Sequence, residues 1–250
     1  MRERDPALAA LANGTFVLAW LGPGGEVLAR GVSAEGALLG TASTPLGEAG
    51  QFSTWIRSAA SGDRVAVVWS HFYDGGTTVT EATVLDATLS PALPGDEDWI
   101  SSSPPPDQGV NSGFPLIGGG ADGFTLAWSE AGSTVITQRA DDLETVRCTG
   151  IEEDLVFRSV VGLDDGFAAS VYFSQDEVLV AEFDGDCNLH DVAEVHRMDF
   201  AGEILAVALT RADTGLGLVW TDDFFFDPAN IHHRFFGFGL CDSFGSALAR

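Results

Sequence analysis

The chain contains no lysine. All 12 of its basic residues are arginine, and they face 37 acidic residues, for a formal charge of −25 over 250 residues. A surface this negative repels phosphate backbones and anionic bilayers, because binding to DNA or RNA draws its affinity from cations that neutralise phosphates. Nucleic acid is therefore excluded as a partner. Cysteine is nearly absent as well: Cys148, Cys187 and Cys241 are too few and too scattered for a disulfide scaffold, no CxxC pair suggests zinc or a redox centre, and one of the three must stay unpaired. No apolar run approaches the roughly 20 residues that cross a bilayer, so membrane insertion is not expected. The opening MRERDPALAAL lacks the apolar core of a signal peptide. We expect a mature segment of an extracellular or periplasmic protein, with no cofactor.

What is present is a large supply of core and a repeat. Hydrophobic residues make up 45% of the chain, including 17 Phe and 6 Trp, and no stretch of helical period competes with the strand signals. Five segments align: PALAALANGTFVLAW, IRSAASGDRVAVVW, PLIGGGADGFTLAW, RSVVGLDDGFAASVY and AVALTRADTGLGLVW. Each reads as a small-apolar strand, a turn carrying glycine, and a second strand ending in an aromatic: Trp20, Trp69, Trp128, Tyr172 and Trp220. These aromatics recur at intervals of roughly 45 to 60 residues, near the period of four-stranded propeller units. A third, alternating strand follows each one (EVLARGVSA, TVTEATVLD, TVITQRADD, EVLVAEFDG, NIHHRFFGF), and then a less regular fourth (ALLGTAST, TLSPAL, ETVRCTG, NLHDVAEV, DSFGSALA).

The expected fold is all-β: a single domain over residues 1–250 forming a five-bladed β-propeller of four-stranded antiparallel blades, at about 6–47, 52–95, 113–151, 156–195 and 203–250. With no strand left over, closure should rest on apolar packing of blade five against blade one, and the blade aromatics should be core. A slice of a larger propeller, or a dimer that completes one, is the alternative. The unit resembles the degenerate β-propeller repeats of bacterial secreted and cell-surface proteins, a resemblance that implies the fold and an extracellular setting but no defined activity. WD40 is a poor match, since no unit aromatic is followed by Asp, and kelch is another, since a paired glycine occurs in the expected setting in no more than one unit.

Loops between second and third strands, and between blades, share one rim, and loops on a rigid scaffold usually carry the ligand site. SHFYDGGTT places His71, Phe72, Tyr73 and Asp74 there; the long segment between blades two and three adds Trp99; and TDDFFFDPAN adds Asp222, Asp223, Phe224, Phe225, Phe226 and Asp227. Pro228 and the neighbouring acids predict that the strand ends near Thr221, with a loop carrying the three rings over the rim. Further acids in the region are Asp96, Glu97, Asp98 and Glu130. The leading expectation is a non-enzymatic binding or scaffolding module for a protein or glycan. The alternative is a glycoside hydrolase, which needs two carboxylates across the funnel; the inner strands read almost bare of acids, leaving mainly Arg57 and Arg158. EFDGDCNLHD, residues 182–191, resembles a calcium loop but has Cys187 where the loop needs glycine and His190 in place of an acid. We expect an ordinary hairpin there. Adjacent His232 and His233 point to opposite faces of a strand and cannot share one metal by themselves.

Overall fold

The computed structural model describes residues 4–48, 55–72, 78–86, 88–89, 98–99, 113–130, 132–152, 155–172, 177–197, 202–212, 215–224 and 227–237. They form five antiparallel sheets in chain order. Sheet 1 holds β1 (Arg4–Ala10), β2 (Phe16–Leu21), β3 (Glu26–Val32) and β4 (Thr44–Glu48). Sheet 2 holds β5 (Ile56–Ser61), β6 (Arg64–Phe72), β7 (Thr78–Leu85) and β8 (Asp98–Trp99). Sheet 3 holds β9 (Gly113–Gly119), β10 (Gly123–Glu130), β11 (Ser133–Ala140) and β12 (Val146–Glu152). Sheet 4 holds β13 (Val156–Gly162), β14 (Phe167–Tyr172), β15 (Glu177–Phe183) and β16 (Leu189–Arg197). Sheet 5 shows three strands, β17 (Gly202–Ala212), β18 (Gly215–Phe224) and β19 (Asp227–Gly237). The segment DSFGSALA, read as the fourth strand of the fifth unit, lies outside the described residues.

Two fourth strands differ from the sequence expectation. In sheet 1 the fourth strand is Thr44–Glu48, while residues 37–44 contribute mainly a bridge from Leu38 to Val32. In sheet 2 the described fourth strand is the short Asp98–Trp99; of TLSPAL only Thr88 and Leu89, in a turn, are described. Outermost strands have a partner on one side only, so a weak apolar pattern leaves their register poorly specified.

The innermost strands β1, β5, β9, β13 and β17 follow one another side by side, and each sheet packs a face on the next. Val17, Ala19 and Leu21 of sheet 1 meet Val65, Val67 and Trp69 of sheet 2. Ala66 and Val68 turn the other way, onto Phe124, Leu126 and Trp128 of sheet 3. Ala127 and Ile136 meet Phe167, Ala169 and Val171 of sheet 4, whose Ala168, Val178 and Val180 meet Leu216, Leu218 and Trp220 of sheet 5. Because successive side chains alternate, a strand between two neighbours buries both faces, which explains the unbroken apolar run of RVAVVW.

Five sheets thus share four interfaces. Among the described residues no comparable contact joins sheet 5 back to sheet 1, so the packing expected between the first and last units is not seen there; residues 238–250 lie outside them. The unit aromatics show the consequence. Trp69, Trp128 and Trp220 face the preceding sheet and are 3%, 6% and 5% exposed, whereas Trp20, with no described sheet before it, is only partly buried; in sheet 4 the matching position is Val171, and Tyr172 falls on the opposite face of β14. Phe235, expected to pack on the first unit, is 55% exposed.

Two devices reinforce the interfaces. With lysine missing, the planar, forked guanidinium supplies the cationic cross-links. Arg64 of sheet 2 donates from Nη1 to the Asp141 carbonyl at 3.1 Å beside the Asp141 carboxylate, and Arg211 of sheet 5 donates to the Gly162 carbonyl and to Asp164 in sheet 4. The second device lies in the turns after the third strands. Among the described residues Leu89, Leu143 and Cys187 are the non-glycine residues with positive φ, near 60°, and each amide closes a turn onto the carbonyl three residues earlier. Each side chain points back at the preceding sheet: Leu89 into the cluster of sheets 1 and 2, Leu143 into that of sheets 2 and 3, Cys187 into that of sheets 3 and 4. In the last case the contact is covalent, a disulfide to Cys148 of β12. Sheet 1 has no predecessor, and the matching residue is Gly36, which meets nothing.

Candidate functional site

Strand direction gives the row of sheets two ends. The glycine turns and the turns after the third strands lie at one; the second-to-third connections and the links between sheets lie at the other, the rim that sequence singled out. His71 and Phe72 finish β6 there, paired with Val79 and Thr78. Tyr73 and Asp74 lie outside the described residues. Trp99, expected in the link between units two and three, is instead in β8, its backbone opposite Glu81. β18 does not end near Thr221; it continues through Asp222 and Asp223 to Phe224, which pairs with Gly202 on one side and Asp227 on the other. Phe225 and Phe226 lie between the paired ends and outside the described residues, as do the side chains of Asp222, Asp223, Phe224 and Asp227. Pro228 is tolerated in β19 because it falls between the paired Asp227 and Asn230, on a strand whose described partner lies on one side.

Directly beneath this hairpin, between sheets 4 and 5, three rings come together. Trp220 stacks on its cross-strand partner His232 at 5.3 Å between centroids and 16° between planes; His196 lies 5.4 Å from Trp220 and 5.8 Å from His232. His196 comes from sheet 4 and reaches the interface through a bulge: Val178 pairs with His196 but Leu179 with Glu194, so one extra residue re-aims the imidazole. His233 points to the other face of β19, as alternation requires.

The residue opposite the unit aromatic is Leu28 in sheet 1 and Val135 in sheet 3, but Glu81 in sheet 2 and His232 in sheet 5. Glu81 is 3% exposed and accepts a hydrogen bond from Trp69 Nε1 at 2.8 Å. An ionisable group buried this deeply must be hydrogen-bonded to be tolerated. Neither Glu81 nor His196 stood out in the sequence, although aligning the units would have shown Glu81 in a position otherwise apolar.

The inner strands carry two acids, Asp5 in β1 and Glu203 in β17, whose side chains lie outside the described residues; IRSAAS, GFPLIGG and VFRSVVG contain none. Arg57 and Arg158 are exposed near the rim, Arg57 with its guanidinium 5.4 Å from the centroid of Trp55. At the opposite end a polar groove of about 40 Å³ between sheets 3 and 4 is lined by Thr125, Gln138, Arg139, Arg147 and Asp164. Its guanidiniums hold turns together, Arg139 on the Leu143 carbonyl and Arg147 on that of Asp122.

The calcium-like segment is a hairpin turn. Asp184 Oδ1 accepts the amides of Asn188 at 2.8 Å and Asp186 at 3.0 Å, and these bonds, that of Asn188 first, hold its carboxyl below the usual carboxylate range. Cys187 takes the left-handed conformation that the missing glycine would have supplied. No cluster of three metal-ligating side chains occurs among the described residues. On the strands leaving this turn Glu182 sits opposite Asp191, and its carboxyl is pushed up by burial and by that like charge. A raised acid binds its proton more tightly when folded, so Glu182 opposes folding above its unfolded pKa and ceases to do so as pH falls. Glu182→Gln should therefore stabilise the protein by a few tenths of a kcal/mol at neutral pH. Melting curves should lose this gain below about pH 4, near the reference pKa of glutamate; a gain that persists there would point to another cause.

No protein-family model matches the chain, and no curated protein resembles it. Solved structures do. The polysaccharide lyase Uly1 superposes with a TM-score of 0.60 at 10% identity, over 91% of this chain and 56% of the lyase. The SapL1 lectin in complex with alpha methyl fucoside gives 0.54 at 11% over 92% and 79%, and the endo-arabinase from Bacteroides thetaiotaomicron VPI-5482 gives 0.52 at 13% over 94% of each chain. The chain thus spans little more than half the length of the lyase. At such identities the likeness concerns the fold, and the fold is that of β-propeller proteins.

Proposed function

We propose that this chain is a non-enzymatic binding propeller, its five sheets serving as blades, that recognises a glycan through the rim of sheets two and five. The observation that carries the reading is that a largely buried stack of His196, Trp220 and His232 braces, from directly below, the hairpin whose sequence bears Asp222, Asp223, Phe224, Phe225, Phe226 and Asp227. A sugar offers an apolar C–H face and a fringe of hydroxyl donors. Aromatic rings beside carboxylates match both, as small polar ligands require. Glycan is favoured over protein because the structural neighbours include a lectin bound to a fucoside and enzymes named for acting on polysaccharides. The hydrolase alternative needs an acid and a carboxylate roughly 5 to 10 Å apart; the inner strands of sheets 2, 3 and 4 carry no acid, and Asp5 and Glu203 are those of sheets 1 and 5. An extracellular or periplasmic location is supported by the disulfide, since such bonds persist in oxidising compartments.

Affinity electrophoresis in gels containing neutral plant and algal polysaccharides tests the proposal. At least one gel should retard the protein, and the double variant Asp222→Asn/Phe224→Ala should weaken binding about tenfold or more, the loss expected of a central contact, without lowering Tm. Release of reducing ends by the wild type would establish the hydrolase instead. Retardation unaffected by the variant would move the site elsewhere.

A further inference from the structure

Among the described residues nothing covers the two ends of the row of sheets, and they are not ordinary surfaces. On sheet 5 the face turned away from sheet 4 carries Ala208, Thr210, Val219, Thr221, Ile231, His233 and Phe235, placed together by the pairs Ala208–Val219, Val219–His233 and Thr221–Ile231. Val219 is 41% exposed, Phe235 55% and Ile231 75%. No acid falls among these seven positions; Asp223 and its partner Glu203 come next on the same face, at the rim end. On sheet 1 the face turned away from sheet 2 carries Leu8, Phe16, Leu18, Trp20 and Leu28, joined by the pairs Leu8–Leu18 and Trp20–Leu28. Leu8 is 58% exposed. Its described cation, Arg30, donates to the carbonyls of Leu39 and Gly40.

Each face is half of an interface the molecule already makes four times. In three of the four, a unit aromatic, Trp69, Trp128 or Trp220, presses on the aliphatic face of the sheet before it. Trp20 is the same aromatic without that sheet, and Val219, Ile231 and Phe235 belong to an apolar face without a follower. Exposed apolar surface of this kind marks a partner site, and the surface complementary to each half exists on the same chain. We propose that a second copy of this chain supplies it: the free face of sheet 5 in one copy docks on the free face of sheet 1 in the next, a head-to-tail contact. Gly36 fits a contact between copies. The interfaces between sheets 1 and 2, 2 and 3, and 3 and 4 are each plugged by Leu89, Leu143 or Cys187, whereas sheet 1 sends no such side chain outward, leaving the end contact free to form and separate. The inference is independent of the glycan reading, which concerns the rim and not the sheet faces.

Light scattering after size exclusion tests it over a dilution series, with Leu8→Asp and Ile231→Asp as variants. Both side chains are mostly exposed in the single chain, so each variant should keep the wild-type melting curve of the dilute protein; if either does not, Ala10→Asp replaces the first and Val219→Asp the second. The wild type should associate with rising concentration, and each variant alone should elute as one chain. An equimolar mixture of the two should recover a dimer and stop there, because the intact sheet 5 of the first variant meets the intact sheet 1 of the second. A wild type that remains a single chain throughout overturns the proposal. So does association abolished by Ile231→Asp but untouched by Leu8→Asp, which would mean that sheet 5 pairs with itself.

Discussion

Replacing Gly119 with Ala should cost more than the roughly 1 to 3 kcal/mol typical of an overpacked side chain, enough to prevent folding or to lower Tm steeply. Gly119 ends β9, the strand between β5 and β13. A methyl group there would overlap the carbonyl oxygen of Ala60, one on Gly118 would overlap that of Val160, and one on Gly162 would meet Gly120. Backbone thus lies against backbone where the inner strands of sheets 2, 3 and 4 converge, and peptide carbonyls cannot swing aside as a flexible side chain could. This is the physical sense of the Gly-Gly-Gly at 118 to 120. The check is a comparison of Gly119→Ala with Gly40→Ala: Gly40 has a positive φ, 70°, which Gly119 lacks, but no neighbour within 4 Å of an added Cβ, so its loss reports backbone strain alone. Equal, small losses in the two variants would mean the inner strands are not packed this closely.

Removing the bond between Cys148 and Cys187 should cost about 4 kcal/mol, the chain-entropy value for a loop closed by residues 39 apart in sequence. The loss should be felt most between sheets 3 and 4, since the bond ties the outermost strand of one to a turn of the other. Cys148→Ser/Cys187→Ser tests this by denaturant unfolding under oxidising conditions, where the midpoint should fall, and again with reductant, where wild type and variant should converge. Unfolding of the wild type that reductant does not alter would show that the bond does not constrain the chain. Cys241 stays outside the pair in either case.

Much of the fold was legible because its signals are local. The glycine turns, the aromatic ending each second strand and the alternating third strands lie within a few residues of one another, and the first three strands of all five units fall where those patterns put them. What escaped depends on neighbours distant in sequence. FVLAWL in sheet 1 reads like RVAVVW in sheet 2, yet one strand has a sheet on a single side and the other on both, and no local pattern distinguishes them. The Cys148–Cys187 bond could be read only by knowing that β12 lies against the turn after β15. In the candidate site the hairpin at Asp222 to Asp227 was visible from its composition, but its strand ran three residues further than Pro228 suggested, because a proline can sit in an edge strand at an unpaired position. Glu81 and His196 were hidden for opposite reasons. The first is a single acid in a strand that otherwise reads as ordinary, and the second reaches its partners only through a bulge.

The turn residues Leu89, Leu143 and Cys187 all reach toward the sheet made earlier in the chain, never the one made later. A polypeptide emerging from the ribosome offers its N-terminal portion first, and folded units can accumulate in that order. Each newly completed third strand therefore brings its own latch to a surface that already exists, and the row of sheets can grow without waiting for anything downstream. The disulfide is the last described latch in the series, so oxidation can only seal an arrangement that three earlier sheets have already set. Directionality of this sort also gives truncation a polarity: shortening the chain from its end removes latches without orphaning any, whereas shortening it from its beginning leaves Leu89 turned toward a sheet that is no longer there.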